Sequence, residues 1–428
     1  MRQKNRLWCA TVASALMFFG SGLSWAQDTD PALRDRLVLP ELIQEVLARN
    51  PELVATRKQW EAATNRIAQV RSLDDPILSA QLWNIPQTFN VTQTGNSIFG
   101  LSQSLPFPGK LGLKGEVASR SADMTEQAIH AKERELVARL KQAYYDLFLM
   151  QKTIQIHHEQ VELLRQFFEI ANAKFRAGKG GQADVLKAQV ELSLLQQQLP
   201  VLDQRRKTAA AMLNMLLDRD PSSPLGLAQE PSQLPIEKPL DDLHSLALND
   251  RPELKAAELD VQRSEQSRAL AQRQYYPDFN VAVQRFQNYQ ANDGFGAYVA
   301  MSIPFAFWTK PKYDAGVQEA AAAVLVAQAQ QHTMENLTRF QVIDLLAKLQ
   351  ATDQVATLYR TTILPQAEQS LESARLGYRV GKGSFLDLID AQRAWRGFQH
   401  EYFKAIVDRQ NRLAELEQVV GITLERQS

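Results

Sequence analysis

The sequence predicts a mixed, mainly α-helical fold, built from an internal duplication and carrying four strands that close into a barrel only when chains associate. Tyr378 to Gln392 repeats the frame of Phe175 to Gln189. Arg176, Gly178, Lys179, Gly180, Asp184, Ala188 and Gln189 stand where the later copy has Arg379, Gly381, Lys382, Gly383, Asp387, Ala391 and Gln392. Asn50-Pro51-Glu52-Leu53 returns as Arg251-Pro252-Glu253-Leu254, and Pro76 as Pro277, both at an offset of 201 residues. Such self-similarity marks two structural copies. Strand-like alternation occurs twice, each time after the opening helix of a copy.

Residues 1–26 read as a signal peptide: Arg2, Lys4 and Arg6 precede an apolar run from Leu7 to Phe19, and Ser24-Trp25-Ala26 supplies small residues for cleavage. Cys9, the single cysteine, lies in that leader, so a mature chain would hold no disulfide and no cysteine metal site. Removing the three leader bases leaves 45 basic residues against 48 acidic ones, a net charge of about −3. No basic tract points to nucleic acid. Beyond the leader no apolar run reaches the roughly 20 residues of a helical span, so any membrane crossing falls to strands.

The first copy is expected over 27–217 and the second over 240–422, joined by a proline-rich linker, 218–239, and followed by a polar tail, 423–428. Each copy opens with a helix, about 40–71 and 240–274, broken early by proline at a first helical position. A long helix without an expected break covers about 114–177, and its counterpart about 313–380. Helices of that length, roughly 100 Å, survive only by lateral packing. The shorter helices before the strands and after the tip together match the long one. They are therefore expected to stack end to end beside it. Val137, Leu140, Ala143, Tyr144, Leu147 and Phe148, and Ala320, Val324, Ala327 and Gln328 in the second copy, have the spacing of coiled-coil seams.

Ile77 to Phe89 pairs with Ser97 to Phe107 in the first hairpin, and Asp278 to Tyr289 with Phe295 to Ile303 in the second. Phe99, Leu101 and Leu105 share a face; Phe279, Val281 and Val283 alternate with Asn280, Ala282 and Gln284. The strands approach the 9–11 residues that cross an outer membrane. Four strands cannot close alone, and an open edge is forbidden in lipid. Three chains would supply an even dozen, so a homotrimer is the simplest closure.

At each tip, glycines flanking lysine allow the left-handed backbone that ends one helix before the next begins. Asp387 and Asp390 lie three apart near a helix start, so they share a face and suit its positive end. Threefold symmetry would place six carboxylates around one constriction and attract cations. Lys187 replaces Asp390 in the first copy, so the two tips are not equivalent.

With the proline opening, the paired strand segments and the twin tips in place, the chain resembles the TolC-like outer membrane efflux proteins, and among them the outer membrane component of cobalt-zinc-cadmium (heavy-metal) RND efflux systems. Ser102 to Lys110, reading Ser-Gln-Ser-Leu-Pro-Phe-Pro-Gly-Lys, looks like the strand-to-helix junction of that metal branch. The resemblance implies an outer membrane factor fold: a trimeric 12-stranded β-barrel, four strands per chain, continuous with a long periplasmic α-helical barrel. It implies partners too, namely outer membrane lipid, a periplasmic adaptor (membrane fusion) protein and an inner membrane RND pump. By motif it places gate and selectivity acids at Asp387 and Asp390. Resting-state ties fall on Tyr378, Arg379 and Asp184, and adaptor docking on Gly178, Gly180, Gly381 and Gly383. From the sequence itself, Lys187 is expected to pair with an acid of the adjacent hairpin and Arg176 to cap a helix C-terminus alongside a gate contact. The absence of a lipidated cysteine at the mature start departs from many relatives.

No catalytic or cofactor constellation accompanies these motifs, and the expectation is a conduit that is not an enzyme. The six histidines are scattered, and adjacent His157 and His158 diverge by about 100° on a helix, so they read as polar-face residues and no metal site is expected. The cargo is expected to be divalent heavy-metal cations. A conduit for drugs, organic compounds or type I secretion, and a non-conducting periplasmic helical scaffold, remain as alternatives.

Overall fold

The computed structural model describes residues 36–424, apart from 86, 88, 90, 92–94, 232–237 and 289–291; the expected leader and residues 425–428 of the tail lie outside the described residues. The chain is mainly α-helical with one four-stranded sheet.

Helices α1 (Leu39–Arg49) and α2 (Pro51–Arg71) part at Asn50, where Pro51 takes a first-turn position whose N–H would be unpaired in any case. The Asn50 side chain accepts the Glu52 N–H at 2.9 Å, and its amide donates to the Leu216 carbonyl at 2.8 Å. Leu216 closes the helix that follows the first tip. Helix α3 (Lys110–Arg176) runs 67 residues and packs on both α2 and α4 (Gln182–Leu216), which therefore meet end to end at Asn50 beside it.

The second half has α5 (Leu240–Asp250), α6 (Pro252–Arg273), α7 (Lys310–Leu358), α8 (Leu364–Val380) and α9 (Phe385–Val420). Arg251 stands where Asn50 stood, but its guanidinium turns to α7, donating to Thr338 Oγ1 at 3.0 Å and Gln341 Oε1 at 2.7 Å. The uninterrupted helix expected over 313–380 is interrupted. A π-helical turn, Tyr359–Ile363, separates α7 from α8. Pro365 explains it: the ring has no N–H for the Thr361 carbonyl and crowds it, so the preceding turn widens by a residue.

The strands are β2 (Ile77–Trp83), β3 (Asn96–Leu105), β5 (Phe279–Asn288) and β6 (Gly294–Met301), antiparallel in the order β2-β3-β5-β6. Two short segments, β1 (Arg36–Leu37) and β4 (Leu227–Ala228), form a separate parallel bridge that pins the linker. The first strand stops at Trp83 rather than reaching Phe89, because Asn84 turns to a φ of 57°. Pro106, which has no N–H to donate, follows the end of β3.

Register places Leu78, Leu101, Val283 and Ala297 in one row, with Phe99 and Phe295 in the next and Val281 and Val299 in another of the same face. Leu78 is 80% exposed, Phe295 82% and Val299 70%. The reverse face carries Ser79, Gly100, Gln284 and Gly296 in one row and Ser104, Asn280 and Ala300 in another. One side of the sheet is thus predominantly apolar, interrupted by Gln103 and Arg285, while the other mixes small and polar residues with Ile77, Ile98, Phe286 and Tyr298. Among the described residues β2 and β6 each have an unpaired edge within the chain. Among the described residues, no helix is long and apolar enough to cross a membrane.

Three apolar clusters hold the helices together. One joins Leu42, Leu53, Leu140, Leu147, Leu213 and Leu216 around the α2–α4 joint, a second joins Leu243, Val342, Leu345, Leu413 and Leu416, and a third lies under the tips. Of the expected seam residues, Leu140, Ala143, Tyr144, Leu147, Phe148, Val324 and Ala327 are buried, whereas Gln328 is exposed. Lys141 on α3 and Glu417 on α9 form a buried ion pair, 8% and 9% exposed, that ties the two halves together. Glu417 Oε1 also accepts the Leu424 N–H at 2.7 Å.

Candidate functional site at the paired helical tips

Both tips close by the same backbone geometry. Gly178 and Gly381 have φ of 69° and 80°, and in each the residue after it donates five positions back: Lys179 to the Lys174 carbonyl and Lys382 to the Gly377 carbonyl, both at 2.9 Å. These are Schellman closures, and glycine enters the left-handed region without the Cβ penalty. The second glycine of each pair does a different job. A Cβ on Gly180 would come within 3.1 Å of Lys174 Cβ, and one on Gly383 within 3.2 Å of the Gly377 and Tyr378 backbone. Of these four tip glycines, Gly178 and Gly381 border open space. Gly180 and Gly383 are thus required by the packing of their own turns.

Tyr378, 4% exposed, ties the tips together. Its hydroxyl donates to Asp184 Oδ2 at 3.1 Å, and its ring meets Phe385 edge-on at 5.2 Å. The Lys174 ammonium lies 4.3 Å from the ring centroid and donates to the Tyr378 backbone carbonyl. Burial, with the Asp184 carboxylate beside it, raises the phenol's pKa, so Tyr378 is held protonated as a donor. Beneath it Phe167, Leu164, Ala188, Leu388 and Phe385 are buried in one cluster.

Asp387 and Asp390 are both exposed. Asp387 is engaged in a capping box: its N–H donates to Ser384 Oγ at 3.1 Å and its Oδ2 accepts the Ser384 N–H at 3.3 Å. Asp390 lies 3.6 Å from Arg393, whose guanidinium reaches across to Glu191 on α4. Arg176, Arg379 and Lys187 are exposed, and among the described residues none forms an ion pair within the chain. The structure therefore brings Tyr378 and Asp184 together and leaves those three bases apart.

Sequence reading missed Lys174, Phe385, Glu191 and Arg393, and the buried relay in which Gln392 Nε2 donates to Gln160 Oε1 at 2.9 Å and Gln160 Nε2 to Gln399 Oε1 at 3.1 Å. His157 is corrected as well: it is 5% exposed, with Nε2 2.7 Å from the Leu195 carbonyl. Among the described residues, no group of three His, Cys, Asp or Glu side chains is placed to hold a metal ion.

An amphipathic sheet with open edges, set on helical hairpins roughly 100 Å long, defines the class as an outer-membrane channel component. The chain belongs to the outer membrane efflux protein family (OEP), whose model matches residues 42–218 and 243–422. It is similar to the cobalt-zinc-cadmium resistance protein CzcC of Cupriavidus metallidurans, 22% identical over 361 residues covering 83% of each chain. It is similar also to nodulation protein T of Rhizobium leguminosarum bv. trifolii, 21% identical over 415 residues, 93% of this chain and 87% of that one. Its fold matches the outer-membrane channel OprN with a TM-score of 0.76 at 19% identity, covering 90% of this chain and 89% of that structure. Family membership gives an outer-membrane protein with a periplasmic portion, a passive conduit rather than an enzyme. It works in a tripartite efflux complex with an adaptor and an inner-membrane pump.

Proposed function

We propose that three copies of the chain pool their sheets into one twelve-stranded barrel, and that this barrel opens into a tunnel of helices gated at the paired tips. The observation that carries the reading is the four-stranded sheet, with one predominantly apolar face, interrupted by Gln103 and Arg285, and two unpaired edges. Such edges are tolerated in lipid only if they pair with another chain. Each copy would then present polar Ser79, Gln284 and Asn280 to the lumen and Leu78, Val299 and Phe295 to lipid.

In this assembly Asp387 and Asp390 line the constriction, Tyr378 with Asp184 holds it narrow, and Arg176, Arg379 and Lys187 face neighbouring hairpins. Gly178 and Gly381, open to solvent, are the places where an adaptor can approach the backbone. The cargo we infer is divalent heavy-metal cations, supported by the similarity to CzcC and by the exposed acids of the second tip. A strain lacking the chain is then hypersensitive to cobalt, zinc or cadmium salts and unchanged toward organic toxicants. The opposite pattern overturns the cargo.

A further inference from the structure

We propose that Lys174 is a positioning residue for the gate, a one-way latch by which the first tip holds the second shut; this rests on the tip gate described above. Lys174 lies in the last turn of α3, where a basic side chain ordinarily serves the carbonyls of its own helix. Here it does something else. Its ammonium crosses 204 residues of sequence to donate to the Tyr378 carbonyl, and it stands 4.3 Å from the centroid of the same ring.

Both contacts are strong for their kind. The Tyr378 carbonyl belongs to the last turn of α8, at the negative end of the helix dipole, and already accepts the Gly381 N–H at 3.2 Å. A cation placed there makes a charge-assisted bond, and a partly buried site strengthens attraction to the aromatic face. The ring cannot retreat. It is 4% exposed, bonded to Asp184 on α4 and packed edge-on against Phe385 on α9.

The register explains why the latch works in one direction. Gly377 occupies in the second tip the position Lys174 holds in the first, and Phe175 stands where Tyr378 does. The second tip therefore has no cation to offer in return, and the first tip has no phenol to receive one. The stem of Lys174 lies across its own turn because Gly180 has no side chain; a Cβ there would sit 3.1 Å from Lys174 Cβ. The turn itself uses the Lys174 backbone carbonyl, so changing the side chain leaves the closure intact. Separating the tips requires the ammonium to leave both the ring and the carbonyl.

The experiment compares wild type, Lys174→Met, Lys174→Arg and Tyr378→Phe as full-length protein in planar lipid bilayers in potassium chloride. Heat stability of the detergent-solubilised oligomer is measured alongside. Lys174→Met keeps the stem and removes the charge, and loss of both contacts raises open-state occupancy about tenfold, while Lys174→Arg stays within about twofold of wild type. Heat stability is unchanged in both. Gly180→Ala, which displaces the stem without touching the charge, moves occupancy in the same direction as Lys174→Met. The latch is overturned if Lys174→Met fails to assemble, or if it conducts as wild type while Tyr378→Phe opens. If neither Lys174→Met nor Tyr378→Phe changes conductance, the tip gate itself fails.

Discussion

Asn50 and Leu216, 166 residues apart in sequence, meet through a 2.8 Å hydrogen bond that joins the start of α2 to the end of α4. Asn50 is 3% exposed and also caps α2 through the Glu52 N–H. Removing its side chain in Asn50→Ala takes away a cap and leaves the buried Leu216 carbonyl unpaired, at a cost of about 1–3 kcal/mol. Circular dichroism during thermal unfolding in detergent measures it. A melt identical to wild type would show that the joint contributes nothing.

The Lys141–Glu417 pair makes a similar test at the meeting of the two halves. Removing one partner leaves a buried charge, so Lys141→Met or Glu417→Leu alone loses about 3–5 kcal/mol. The double variant Lys141→Met with Glu417→Leu recovers most of that, because two apolar side chains satisfy each other. Equal losses in the single and double variants would contradict this.

How much of this was legible in advance follows from the range of each signal. The strand alternation, the glycine closures and the proline openings are local patterns, and they stand in the structure where residues such as Val281, Gly381 and Pro51 placed them. Contacts between distant segments were not legible. Lys174 looks like an ordinary helix-terminal base until α8 is brought beside it, and Gln160, Gln392 and Lys141 look like solvent-facing polar residues until α9 covers them. The π turn is different, since Pro365 was visible and its consequence for the preceding turn could have been foreseen. The role of Asp387 was half visible: a capping acid and a pore acid look the same in one dimension.

His157 gives the protein a pH dependence with a definite sign. Burial, then Arg396 and His158 nearby, hold its pKa below the ordinary 6.5, against the opposing pull of the Leu195 carbonyl. The folded state therefore favours the neutral ring. Its contribution to stability is complete above about pH 6.5 and is lost as the pH falls, because the unfolded chain takes up the proton first. His157→Gln keeps an amide donor for Leu195 and does not titrate. Between about pH 7.5 and 5.5 its melting temperature falls less than that of wild type. Parallel falls would remove His157 from the account.

In the proposed gate the second-tip acids set ion preference. Asp387→Asn with Asp390→Asn removes the carboxylates while an amide oxygen can still serve the Ser384 cap, so assembly is retained. Reversal potentials in a potassium chloride gradient then shift toward zero, because a carboxylate ring is what favours cations at a constriction. Exposed Lys187, Arg379 and Arg176 lie in the same region, and Arg393 neutralises part of Asp390. If those bases share the lumen, the selectivity of wild type is already weak and the double variant changes nothing.

The central claim is that the unpaired edges of β2 and β6 are completed by other copies of the chain. Native mass spectrometry of the detergent-extracted protein counts those copies directly. The account predicts a species of three chains that conducts when transferred to a planar bilayer. A stable single chain, with its sheet edges open and no current, would contradict it.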